Sequence, residues 1–231
     1  AGVYAGGNLA KGFTMNTFTQ NNCNGTGGGV MVEGGTSGFD TNTFTLNAAG
    51  NGGGAVYVIA STLVFANNSH SNNSTTGSSG GAMAVNQGNG SQITGNLFQG
   101  NTAFVSNGNA GGLLIADTDG ASIQGNSFLL NQTLGNGGGL WVINATNISV
   151  LNNTFDGNLG NTAGGNIGFL DAGVTMGNNT LINGNTAGNG AGISIQNGSA
   201  AIYNNVISGN YALTSGGGIA NFYGDVTVGV G

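Results

Sequence analysis

The chain has 231 residues, of which 50 are Gly, 38 are Asn and none is Pro; 3% are charged and there is no Arg. Its net charge of −6 comes from seven scattered acids against Lys11 alone, so the basic footprint that phosphate backbones need is missing and no nucleic-acid partner is expected. Glycine without proline is neither collagen nor a Pro/Gly linker, and Val, Ile, Leu and Phe recur too regularly for a disordered chain.

Taken in chain order, Ala1–Gly7 reads as a first strand. A short phrase then returns eight times: an apolar residue, two more residues, then Asn. The copies are Phe18–Asn21, Phe44–Asn47, Val64–Asn67, Phe98–Asn101, Phe128–Asn131, Phe155–Asn158, Ile182–Asn185 and Ile207–Asn210. Their final Asn residues stand 26, 20, 34, 30, 27, 27 and 25 apart. A Gly pair and a short apolar run follow each copy. A tandem repeat of this length, without a helical apolar stripe, marks a solenoid whose units bury their apolar faces on one another. The repeat fills residues 1–231, so a single domain is expected.

Within one repeat, Gly138–Ile143 is a short apolar strand and Asn144–Asn147 a polar corner. Ile148–Val150 alternates at period two, and Asn152–Asn158 holds the phrase itself. Three short strands and three corners per repeat predict an all-β fold. The expected architecture is a parallel β-helix of about eight to nine coils, right-handed by the crossover rule, with no obvious caps. The recurring Phe should stack inward, with Phe18, Phe44, Phe98, Phe128 and Phe155 in one column. Asn101, Asn158 and Asn210 should sit at a bend and bond the neighbouring coils, as stacked Asn ladders do. The Gly pairs mark tight entries into the next strand.

The last segment, Ile219–Phe222 and Asp225–Gly231, reads as two strands of a coil whose third is missing. Ala1 reads as a processed terminus or the start of an excised piece. Bare strand edges invite pairing, so head-to-tail stacking into an open filament is expected, with Lys11 near one end attracting Asp225 near the other. No run of 18 apolar residues is present, and no membrane-spanning helix is expected.

The Phe-x-x-Asn phrase combined with Gly53-Gly54-Ala55-Val56 and Gly80-Gly81-Ala82-Met83 resembles the repeat of chlamydial polymorphic outer membrane proteins. More broadly, it resembles the β-helical passengers of autotransporters and surface adhesins. Looser copies of the second phrase begin at Gly28, Gly111, Gly138, Gly164, Gly190 and Gly217. That resemblance implies a right-handed β-helix at a cell surface or outside the cell, with an adhesive or structural role. Its partners would be copies of itself, and surface glycans or other cells.

Other β-helical proteins degrade or bind polysaccharides, which supplies an alternative function. Hydrolysis of that kind needs two carboxylates flanking the bond. Among Glu33, Asp40, Asp117, Asp119, Asp156, Asp171 and Asp225, only Asp117 and Asp119 are close in sequence. They read as a solvated turn or, less simply, a cation site. His70 falls in the most polar stretch, Asn67–Ser79, and is expected to be exposed on a mobile loop. Lys11 reads as a surface charge. Cys23 is the only cysteine and reads as a small, buried or half-buried thiol. No catalytic set, metal site or cofactor is expected, and the protein is not expected to be an enzyme. Ice binding is a further alternative: Thr17-Phe18-Thr19 and Thr41-Asn42-Thr43 hint at the required Thr-x-Thr rank, but later repeats do not continue it in sequence.

Asn-x-Ser/Thr sequons begin at Asn24, Asn67, Asn72, Asn73, Asn89, Asn131, Asn144, Asn147, Asn152, Asn178 and Asn197. Exposed corners such as Asn144 and the Asn67–Asn73 insert are the expected glycan sites, and Asn67 and Asn131 double as ladder candidates.

Overall fold

A computed structural model describes residues 1–106, 108–186 and 188–229. Among these residues there is no helix. Parallel strands stack into a β-solenoid of about nine turns with three sheets, of 15, 8 and 8 strands.

One coil shows how the sequence makes the turn. Val30–Glu33 and Thr36–Asp40 form the first face, bent at Gly34 and Gly35; Thr43–Thr45 forms the second and Ala48–Ala49 the third. In the last three coils the two halves of the first face run on as single strands, Ile167–Gly177, Ile193–Tyr203 and Ile219–Gly229. Gly53 adopts φ +58° ahead of its strand, and a Cβ on Gly54 would run into the carbonyls of Gly81 and Ser74. The Gly pair is therefore required twice over, for a left-handed turn and for close contact with the next coil.

Equivalent residues of successive coils stand in register. On the first face Val30, Val56, Met83, Leu113 and Leu140 form one inward row. All are fully buried, in a core that extends through the coils. On the second face the expected Phe column forms. Its rings stack at centroid distances of 4.9 Å for Phe18–Phe44, 4.8 Å for Phe98–Phe128 and 4.6 Å for Phe128–Phe155. Phe18, in the first coil, is half-buried, whereas the other four are buried.

Two copies of the phrase fall elsewhere than expected. His70, not Val64, occupies the Phe position of the third coil, between Phe44 and Phe98 at 4.6 and 5.0 Å. Val64 points outward and Asn67 is an exposed corner residue at φ 56°. In the seventh coil Leu181 and Gly184 take the two positions, leaving Asn185 exposed. Counted correctly, the positions are Asn21, Asn47, Asn73, Asn101, Asn131, Asn158, Gly184 and Asn210. They are spaced 26, 26, 28, 30, 27, 26 and 26 apart. The uneven intervals read from the sequence came from an imidazole standing in for a phenyl ring.

Candidate functional site

The chain's most developed arrangement of polar groups lies inside it. Asn47, Asn73, Asn101, Asn131 and Asn158 are fully buried. Each link of this ladder uses the same atoms. The backbone N–H and the Nδ2–H of Asn47 both donate to Asn73 Oδ1, at 2.9 and 3.0 Å, and Asn47 Nδ2 also donates to the Phe18 carbonyl at 2.8 Å. The pattern repeats from Asn101 to Asn131 and from Asn131 to Asn158. A buried amide left unpaired costs about 1–3 kcal/mol; stacking satisfies its donors and its oxygen together.

A second ladder, not expected from the sequence, runs beside the first through Asn16, Asn42, Asn68, Asn96, Asn126, Asn153, Asn179 and Asn205. Its links match in kind, as in Asn96 N–H and Nδ2–H to Asn126 Oδ1, both 2.9 Å. Three residues before each stands an inward apolar residue: Phe13, Phe39, Phe65, Ile93, Ile123, Val150, Met176 and Ile202. Most coils thus carry two apolar-x-x-Asn phrases five residues apart, the exceptions being His70 in the third coil and Gly184 in the seventh. The signal was present in sequence, but Ile, Val and Met hid the second copy behind the more visible Phe.

At Gly184 the first ladder loses its Asn, and a residue from another part of the coil fills the gap. Asn158 Nδ2 donates to Asn166 Oδ1 at 2.9 Å, and Asn166 Nδ2 donates onward to Asn210 Oδ1 at 3.0 Å. The equivalents of Asn166 in neighbouring coils are Gly139 and Gly192. Asn166 is therefore a specific replacement.

His70 is fully buried, and neither ring nitrogen has a hydrogen-bond partner. This overturns the exposed-loop expectation: Ser69–Ser71 is a strand whose central side chain must point inward. Burial lowers its pKa from the ordinary 6.5 to about 3. The imidazole is thus held neutral among rings, which suits a core position and leaves it no access to a substrate.

The acids are dispersed over the outside, and most are joined to the neighbouring coil. Asp119 Oδ1 accepts from Thr146 Oγ1 at 2.6 Å and from Asn147 Nδ2 at 2.8 Å. These bonds, Thr146 first, hold its carboxyl below the ordinary pKa. Asp117 accepts from Asn144, Asp40 from Asn67, Asp156 from Asn183 and Glu33 from the Tyr4 hydroxyl. Among the described residues no three metal-binding side chains cluster. Lys11 donates to the carbonyls of Gly7, Leu9 and Gly34 and so acts as a local tie. Cys23 sits in the inward row of small residues with Ala49, Thr75 and Ala103, which accounts for it as packing.

The outer row of the second face reads Thr17, Thr43, Ser69, Leu97, Ser127, Thr154, Thr180 and Val206. Hydroxyls therefore continue further along the solenoid than the sequence suggested. The neighbouring row does not follow: after Thr19, Thr45 and Ser71 come Gln99, Leu129, Asp156 and Ile182. Of the sequons, Asn73 and Asn131 are buried ladder members; Asn24, Asn67, Asn72, Asn89, Asn144, Asn147, Asn152, Asn178 and Asn197 are exposed.

No protein-family model matches the chain, and no relative was found by sequence.

Proposed function

We propose that this protein is a structural or adhesive β-helix of the cell surface or extracellular space, a subunit that stacks end to end into a filament. The one-sided pairing of the strands at the two ends of the stack, among the described residues, carries the reading. Inside the stack, the ladder Asn residues donate from the backbone N–H and Nδ2 to the Oδ1 of the following coil, except Asn158, whose Nδ2 goes to Asn166. Among the described residues, no donor reaches Asn16 Oδ1 or Asn21 Oδ1 in the first coil. No Oδ1 among the described residues receives the donors of Asn205 and Asn210, whose Nδ2 groups reach only carbonyls such as those of Met176 and Leu181. The strands at each end pair on one side only. Phe13 and Phe18 at one end, and Ile207, Ile219 and Val226 at the other, stay half-buried.

A second copy would pair the open strand edges of the first face at both ends. Ile219–Gly229 of one copy would lie against Val3–Ala5 and Lys11–Thr14 of the next, continuing that sheet at the strand spacing of about 4.8 Å. Lys11 adds little to such a join, since its ammonium is engaged locally. Glycans on the exposed sequons would keep a surface this poor in charge from associating sideways, and adhesion to surface glycans or other cells would use the outer faces.

The test is sedimentation of the 231-residue chain over a hundredfold range of concentration. Growing head-to-tail polymers are expected, together with monomers when Asp225–Gly231 is deleted. A monomer at every concentration, or polymers indifferent to that deletion, would remove the reading.

A further inference from the structure

An open trough lies on the outside of the last coils, along the bend of the first face. The strand register sets out its lining. Gly173, Ser199 and Asp225 form one outward row, and Thr175, Ala201 and Thr227 the next. Gly177, Tyr203 and Gly229 form a third row, two residues further along the strands than the last row that lines it. The trough runs across four coils, from Asn147 to Asp225, or about 14 Å at the usual strand spacing.

Its chemistry is specific in three ways. Ala201 stands between two threonines, so the trough has a small floor residue flanked by hydroxyls. Tyr203 lies flat against Gly177: a Cβ there would run into its ring, and the glycine is what allows the ring to lie along the sheet. The residue is half-buried, so the ring has one face on the sheet while part of it meets solvent. Asn147 is held in place by its bond to Asp119, whereas Asp225 is exposed and has no side-chain partner among the described residues.

We infer that this trough binds a neutral polysaccharide, with Tyr203 stacking on a sugar ring and Asp225, Ser199, Thr175, Thr227 and Asn147 bonding its hydroxyls. Other ligand classes fit less well. A surface of net charge −6 with a single lysine repels polyanions. A lining of hydroxyls and a carboxylate offers nothing to an apolar ligand. A flat aromatic ring beside hydrogen-bonding side chains suits an extended chain of linked sugars, which has an apolar face and polar edges. The inference does not depend on how the ends assemble, because every residue named lies on the lateral surface.

Electrophoresis through native gels cast with laminarin, hydroxyethylcellulose or dextran, with polygalacturonate as the anionic control, tests it. At least one neutral polymer should retard the protein and polygalacturonate should not. Tyr203→Ala should weaken the retarding interaction by up to about tenfold, the worth of one aromatic stacking contact. Asp225→Asn should weaken it as well, and Tyr203→Phe should retain it. Circular dichroism establishes that each variant keeps its β-sheet. No retardation by any neutral polymer, retardation unchanged in Tyr203→Ala, or preference for polygalacturonate would each overturn the assignment.

Discussion

Replacing His70 by Phe should make the protein more stable, and the gain should depend on pH in a defined way. The imidazole is buried among Phe44, Phe65 and Phe98, with both nitrogens unpartnered. Its folded pKa is about 3 against an ordinary 6.5. The unfolded chain therefore binds a proton between those values and the folded chain does not, so stability falls as pH drops through that window. Across the full window the loss is about 5 kcal/mol, and between pH 7 and pH 4.5 it is about 3 kcal/mol. The contribution is constant above about pH 7 and below about pH 3. Phe cannot titrate and completes the ring column, so it removes this loss. It also removes the penalty of an unpaired N–H, about 1–3 kcal/mol at neutral pH. Urea unfolding of both proteins at pH 7, 5.5 and 4.5, followed by circular dichroism, measures the difference. The carboxylates titrate alike in both and cancel. The gap should widen steadily as pH falls; a constant gap, or a His70 resonance titrating near pH 6.5 in the folded protein, would refute the reasoning.

Three further outcomes follow from the interior. Phe128→Ala should cost about 3–5 kcal/mol, as large-to-small changes in a closed core do, read as a lower urea midpoint. Asn166→Ala should destabilise by about 1–3 kcal/mol by taking one buried hydrogen bond from each of Asn158 and Asn210; Gly184→Asn should destabilise with or without it, because a Cβ there runs into the Ala191 carbonyl as well as into Asn166. In protein from a source that N-glycosylates, mass spectrometry should find sugar at exposed Asn144 or Asn152 and none at Asn73 or Asn131; sugar on a buried ladder residue would contradict the ladder.

The fold was legible because its repeat is carried by chemistry that few other arrangements need. An inward ring three residues before an inward amide, with a glycine entry to follow, reports a coil without any alignment. The register failed in the third and seventh coils for local reasons. His70 is polar by type and apolar by position, and its context Asn67–Ser79 looks like a loop because its outward residues are Ser and Asn. At Gly184 the expected amide is absent and comes instead from Asn166, which no spacing rule would select. The second ladder escaped notice because its apolar partners change from Phe to Ile, Val and Met along the chain. The lateral trough was not legible at all. Asn147, Thr175, Ser199 and Asp225 come together only through the coil register, and the flat pose of Tyr203 depends on the glycine one coil away.

The most direct test of the account is electron cryo-microscopy of the purified 231-residue chain at high concentration. The expected result is a filament in which Ile219–Gly229 of one copy pairs with Val3–Ala5 and Lys11–Thr14 of the next at about 4.8 Å. Discrete single particles, or filaments joined through the lateral faces with those strands unpaired, would contradict it.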